Sequence, residues 1–327
     1  MKIGVVGCGA VGSYYGARLG RAGAEVHFLL RSDYVAVRER GVRIESPEGD
    51  FTIHPHAART PQEIGRCDLV IVALKTTANG EFRSLLTPMV GPETAVLTLQ
   101  NGLGNEEALA ALLGAEKILG GLCFVCLNRL APGLVRHLAH GTIVLGEFGR
   151  PPNARTQAIA ELLRHAGIPC RVAGNLAAAH WEKLVWNIPF NGLGVAGTVG
   201  YAAVTTGVMD EQTPRGPCLK TDALLAEPRW EAEVRGLMLE VIAAANGLGL
   251  GLAEAIADSQ IERTREMGPY QASTLLDFER GLPLELEPLF LEPWRQARAA
   301  GVSTPRLAKL CQVLARLDSR RLPTEAR

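Results

Sequence analysis

Lys2-Ile3-Gly4-Val5-Val6 runs directly into Gly7-Cys8-Gly9-Ala10-Val11-Gly12, a short apolar strand entering a G-x-G-x-x-G turn. Ser13 to Ala22 is compatible with a helix, and Glu25 to Leu30 (EVHFLL) reads as a second strand, so the glycines stand in the strand, turn, helix and strand context that gives the motif its meaning. Gly7 permits the tight turn, Gly9 lets the backbone approach a pyrophosphate, and Gly12 lets the helix pack on the strand. With Cys8, Ala10 and Val11 between them, these residues form a loop that seats the phosphates of a dinucleotide on the free N–H groups of the helix N-terminus.

Nineteen residues after Gly12 stands Arg31. An NAD site usually carries Asp or Glu at the end of the second strand to accept a hydrogen bond from the ribose 2′-hydroxyl; here the chain has Arg31-Ser32. A guanidinium suits a 2′-phosphate, so the expected cofactor is NADP(H).

The 327 residues are 47% hydrophobic and 21% charged, enough to bury a sizeable core in two domains. Thirty-four basic and thirty-four acidic residues cancel, leaving no field to favour nucleic acid or an anionic membrane. The N-terminal apolar stretch is too short and glycine-broken for a signal peptide, and the apolar region from Val241 to Ala253 carries Asn246 and several glycines. A soluble cytoplasmic protein with a small-molecule partner is expected, with homodimer formation left open. Seven cysteines spread from Cys8 to Cys311 fit buried thiols in a reducing compartment. Cys123 and Cys126 form a C-x-x-C with His137 and His140 nearby, but both cysteines fall in an apolar strand-like run whose alternate residues face opposite ways, so no metal is expected there.

Cys67 to Leu74 and Thr94 to Leu99 read as continuous apolar strands, extending the first two into a doubly wound parallel sheet. Val42 to Ser46 and Phe51 to His56 form one expected hairpin; Leu134 to Leu138 and Thr142 to Gly146, joined around Ala139-His140-Gly141, form a second. Ala154 to His165 reads as an amphipathic helix and Ile168 to Val172 as a last strand. After Ala173 the pattern turns helical. The expected fold is therefore α/β, an N-terminal Rossmann-type sheet over residues 1–173 and an all-helical domain over 174–327, with Asn175 as an N-cap at its start and a turn-rich excursion from Gly200 to Ala226 containing Pro214, Gly216 and Pro217.

Lys183, Asn187 and Asn191 recur at four-residue spacing in His180-Trp181-Glu182-Lys183-Leu184-Val185-Trp186-Asn187-Ile188-Pro189-Phe190-Asn191. On a helix they share one face, while the remaining positions are crowded with apolar bulk. A polar stripe in such surroundings must face water, a ligand or a cleft, because unpaired buried amides and ammonium groups are costly.

Taken in order, the glycine turn, Arg31, Lys75 in Ala73-Leu74-Lys75-Thr76, Gln100-Asn101-Gly102-Leu103-Gly104-Asn105, the Lys183/Asn187/Asn191 stripe, and Ser273 to Glu285 (STLLDFERGLPLE) resemble the 2-dehydropantoate 2-reductases, or ketopantoate reductases. The resemblance implies an NADPH-binding Rossmann domain, a helical domain and an active site in the cleft between them, serving pantothenate biosynthesis. It further implies Lys75 and Asn101 on the cofactor, with Asn101, Lys183, Asn187, Asn191, Ser273 and Glu285 around a 2-keto acid. Pro189 stands two residues before Asn191, where family members commonly show Asn-Pro, which predicts an earlier kink that turns Asn191 elsewhere.

Hydride transfer to a 2-keto acid builds negative charge on the carbonyl oxygen, so a proton donor must stand beside it. Lys183, whose apolar surroundings make its proton easier to give, is the candidate general acid. The resemblance gives Ser273 the carboxylate and Glu285 the substrate hydroxyl. Two other readings remain: an NADP-dependent reductase of another branched 2-oxo acid, and a non-catalytic NADPH sensor, which would leave the polar stripe without a task.

Overall fold

The computed structural model describes residues 1–209, 212 and 215–319, and the chain divides into two compact units, Met1–Ala179 and His180–Arg327. The first is built on a ten-stranded sheet: β1 (Lys2–Val6), β2 (Glu25–Leu29), β3 (Val42–Glu45), β4 (Phe51–Ile53), β5 (His56–Ala58), β6 (Cys67–Val72), β7 (Val90–Thr98), β8 (Ile118–Ala131), β9 (Leu134–Glu147) and β10 (Cys170–Val172). Its order is β4-β3-β9-β8-β7-β6-β1-β2-β5, with β10 beside β9. From β5 through β8 every neighbouring pair is parallel, which is the doubly wound order of a Rossmann sheet reversing at β1.

Period-two alternation gives this sheet two cores. Ile3, Val5, Leu69 and Ile71 pack with Tyr14, Tyr15, Leu19 and Phe28 on one face; Val6, Val70, Val72 and Val96 pack with Phe82, Leu86 and Leu109 on the other. Both faces are covered, which explains why the strands read as unbroken apolar runs. The Val42–Glu45 and Phe51–Ile53 strands pair antiparallel as the expected hairpin.

The second expected hairpin is not formed. Leu134–Glu147 is one strand, and its antiparallel partner is Ile118–Ala131. Phe124 pairs with Thr142 and Val125 with His140, leaving Gly141 as an extra residue, while His140 has φ 66° and Gly141 φ 130°. A left-handed residue followed by glycine marks a bulge here instead of a turn.

The helix Ala154–His165 begins with a capping box between Asn153 and Thr156. At the end of β9 lies Glu147, whose side chain is fully buried; it accepts from Thr156 Oγ1 at 2.6 Å and from Arg150 Nη2 at 2.9 Å, and pairs with Arg155. Burial pushes this carboxyl up, but the hydrogen bonds from Arg155, Thr156 and Arg150 outweigh it and hold it below the usual glutamate range.

Among the described residues, no strand follows β10. The helix Leu176–Ala196 starts where Asn175 Oδ1 accepts the Ala178 N–H at 3.1 Å, so the expected N-cap is present. The second unit packs around Pro228–Gly247, which touches the helices Thr221–Ala226, Ala255–Glu266, Glu292–Ala299 and Pro305–Ser319. Buried Glu240 on the central helix accepts the N–H groups of Arg306 and Leu307, both at 3.0 Å, and so caps the last helix through its free N-terminal donors. The segment expected to be irregular contains the short helices Tyr201–Thr206 and Thr221–Ala226; Pro214 lies outside the described residues. Among the described residues, no helix is long and apolar enough to cross a membrane.

Candidate active site

Gly7 has φ 96°, and a Cβ there would fall on the Ala73–Leu74 peptide; a Cβ at Gly12 would fall on the Gly7 carbonyl oxygen. Both glycines are therefore required by close approach of backbone to backbone. Gly9 differs, because a Cβ there would meet nothing within 4 Å. The space above it is open, and it lies in front of the helix Ala10–Arg21, whose first N–H groups have no intrahelical acceptors and whose first turn carries no acid. Ser13 shapes the loop from behind, its N–H bonding Gly9 O at 3.1 Å and its hydroxyl donating to Cys8 O at 3.0 Å. Burial pushes the Cys8 thiol far above its ordinary range, so Cys8 acts here through its backbone. The open space at Gly9, the uncapped first N–H groups and the positive end of the helix dipole suit the phosphates of a dinucleotide.

The loop lies where the sheet order reverses, between β1 and β6, and Ala73 N bonds Val6 O at 2.8 Å. That bond carries the chain past β6 to exposed Lys75 at the same carboxyl edge. From β7 the next loop brings half-buried Asn101. A chain of side chains ties the two loops together. Thr98 Oγ1 donates to Gln100 Oε1 at 3.0 Å, and Gln100 Nε2 donates to Leu74 O at 3.1 Å and to Asn79 Oδ1 at 2.8 Å. Asn79 Nδ2 then donates to Asn105 Oδ1 at 2.9 Å, and Asn105 Nδ2 to Asn101 O at 3.1 Å. Asn79 escapes a reading of the sequence because its partners lie 21 and 26 positions away.

Arg31 is exposed just past the end of β2. Its neighbour Ser32 donates its hydroxyl to Asp33 at 3.0 Å. Asp33 is buried and gripped by Arg129, with Nη2 to Oδ1 at 2.6 Å and Nε to Oδ2 at 3.3 Å. Burial raises its pKa, but the hydrogen bonds from Arg129 and Ser32 outweigh that and hold it below the usual aspartate range. The acid nearest the end of β2 is thus neutralised inside the protein. A second cation stands close by: Leu29 pairs with Ala58, so Arg59 leaves β5 beside the end of β2, and its guanidinium lies 4.4 Å from the centre of the Tyr34 ring. Arg59 was not singled out from the sequence, and only the register of β2 with β5 reveals it.

Leu176–Ala196, most of which lies in the second unit, is one helix with Pro189 inside it. Lys183, Asn187 and Asn191 therefore keep their four-residue spacing on one face, and burial deepens along it: Lys183 is half-buried, Asn187 is 8% exposed and Asn191 2%. Asn191 Nδ2 donates to Asn187 O at 3.0 Å, and Asn191 Oδ1 accepts the Thr274 N–H at 3.0 Å. This ties the stripe to the start of the helix Ser273–Glu279, where the Ser273 side chain is exposed. Another side of the long helix carries Trp186, which donates Nε1 to Thr264 Oγ1 at 2.9 Å and packs against Phe190 and Tyr270. Glu285 is buried in the non-helical segment before Glu287–Leu291; Leu284 N donates to Asp318 Oδ1 at 2.9 Å and anchors that segment to the last helix.

Residues 3–150 match the family model described as ketopantoate reductase PanE/ApbA, and residues 218–318 match its C-terminal counterpart. A curated 2-dehydropantoate 2-reductase from Nostoc is 38% identical over 325 residues, 98% of this chain and 96% of that protein. The crystal structure of 2-dehydropantoate 2-reductase from Geobacter metallireducens superposes with a TM-score of 0.87 at 44% identity, covering 97% of this chain and 99% of that one. The enzyme of the same name from Methylococcus capsulatus gives a TM-score of 0.86 at 32% identity, covering 99% of each chain.

Proposed function

The chain belongs to the ketopantoate reductase family, and from that premise we propose that this oxidoreductase catalyses the NADPH-dependent reduction of 2-dehydropantoate to pantoate, a step of pantothenate biosynthesis. The observation that carries the reading is the Asn191 to Thr274 hydrogen bond, which joins the helix bearing Lys183 and Asn187 to the helix bearing Ser273. Lys183 and buried Asn187 share that face with Asn191, where polar groups are costly to bury without polar partners, and this favours a task beyond packing.

The loop from Gly7 to Gly12, with Lys75 and Asn101, would hold NADPH and Arg31 its 2′-phosphate, and the bound cofactor would supply the hydride for the 2-keto carbon. Lys183 gives a proton from Nζ to the carbonyl oxygen as negative charge develops there, so ketone, hydride and proton balance to an alcohol. Asn187 and Asn101 donate to the substrate's polar groups, Ser273 binds its carboxylate, and Glu285 accepts a hydrogen bond from its hydroxyl. Asn191 contributes to the substrate side through the hold it keeps on Thr274.

The test is a panel of 2-keto acids assayed by NADPH oxidation. The highest kcat/KM is expected with 2-dehydropantoate. A higher value for another branched 2-oxo acid would reassign the substrate, and the absence of turnover with every member, alongside tight NADPH binding, would make the protein a sensor.

A further inference from the structure

Strands β2 and β5 lie side by side at one end of the sheet, with His27 opposite His56 in the parallel register. Period two places Glu25 on the same side of β2 as His27. The two imidazole rings are stacked, with centroids 4.5 Å apart and planes 16° from parallel, and His27 Nε2 lies 2.8 Å from Glu25 Oε1. One potential ligand atom from each of the three residues lies within 4.8 Å of the other two. We propose that Glu25, His27 and His56 form a binding site for a divalent transition metal of the zinc or nickel class.

The donor set fits that class. Two imidazoles and one carboxylate supply three protein ligands and leave a fourth position for water, and imidazole nitrogen selects zinc, nickel or copper over calcium or magnesium. The strand backbones fix the spacing of the histidines. Glu25 and His56 are exposed and His27 is half-buried, so their side chains have room to turn toward a common ion. Competition from the nearest ammonium is reduced: Lys2 pairs in register with Glu25, but its Nζ donates to the Ile64 carbonyl. The three residues occupy the stretch of β2 and β5 before the strand ends that lead to Arg31 and Arg59, so the proposed site is separate from the dinucleotide loop.

The experiment is calorimetric titration of the full-length protein with zinc chloride and with nickel chloride, repeated on His56→Ala and Glu25→Gln and on a Cys123→Ser/Cys126→Ser control. One equivalent of metal should bind, with affinity at least about tenfold weaker in His56→Ala. The cysteine control should match the unmodified protein. Nickel should raise the melting temperature of the unmodified protein and not that of His56→Ala, while both melt alike in chelator. Absence of binding at millimolar metal, or equal binding by the unmodified protein and both variants, would overturn the proposal. NADPH-dependent turnover should be unchanged in chelator and in His56→Ala, and a parallel loss of activity would overturn the separateness of this site.

Discussion

Asn191 Oδ1 accepts the Thr274 N–H at 3.0 Å while its own Nδ2 donates to Asn187 O, so a single buried amide joins two helices of the second unit. Asn191→Ala removes the acceptor and leaves a buried N–H without its partner. The expected loss of stability is about 1–3 kcal/mol, read as a lower denaturation midpoint in urea. The KM for the keto acid should rise as Ser273 loses its anchor, with NADPH affinity unchanged; an unaltered KM would remove Asn191 from substrate positioning.

Arg31 should set cofactor preference. The unmodified protein is expected to bind NADPH more tightly than NADH, and Arg31→Asp to invert the order, as measured by fluorescence titration. Equal affinities in the unmodified protein would count against the assignment. Arg59→Ala should weaken NADPH binding less than Arg31→Asp does, because Arg59 is engaged with the Tyr34 ring.

Lys183→Ala should leave NADPH binding nearly intact and lower kcat by about 10²-fold or more, the usual scale for a lost general acid. Near-normal turnover on the best keto acid would exclude Lys183 from proton transfer.

Glu285→Gln should weaken binding of a 4-hydroxylated keto acid more than that of its deoxy analogue, because a carboxylate is the stronger acceptor for a hydroxyl. Equal losses with both analogues would show that Glu285 does not read the hydroxyl.

Glu147 predicts how the first unit responds to acid. Its folded-state pKa lies below that of an unfolded glutamate, so its contribution is fully present above the unfolded value and is lost as pH falls through the folded one. Glu147→Gln should cost about 2 kcal/mol at neutral pH and flatten the fall of stability on acidification. A variant whose acid limb superposes on that of the unmodified protein would show that the Arg150, Arg155 and Thr156 contacts contribute nothing.

Legibility in the sequence followed the range of the interaction. The glycine turn could be read because its motif is complete within six residues, even though the contact that demands Gly7 comes from the distant Ala73–Leu74 peptide, and the helical stripe because four-residue spacing is enough to place its members on one face. His140-Gly141 was misread for a definite reason: a left-handed residue followed by glycine serves a turn and a bulge equally well, and the choice depends on whether a partner strand runs alongside. Here β8 does. Arg59, Asn79 and the grip of Arg129 on Asp33 act across register or between distant loops, where no local pattern signals them. Pro189 leaves Leu176–Ala196 a single helix, because a helix held by packing on several sides tolerates the loss of one N–H.

The position of β3 also has a consequence for the timing of synthesis. Its partner β9 comes late in the chain, as the separation of 91 positions between Glu45 and Arg136 records. During translation, β3 and β4 can pair with each other, but the other edge of β3 must wait for the ribosome to deliver β9. At ordinary elongation rates of about 5–20 residues per second, that wait is roughly 5–20 s. An apolar strand edge carrying Val42 and Ile44 is open to wrong pairing throughout, so chaperone demand in the cell should be greatest for nascent chains halted before β9 emerges.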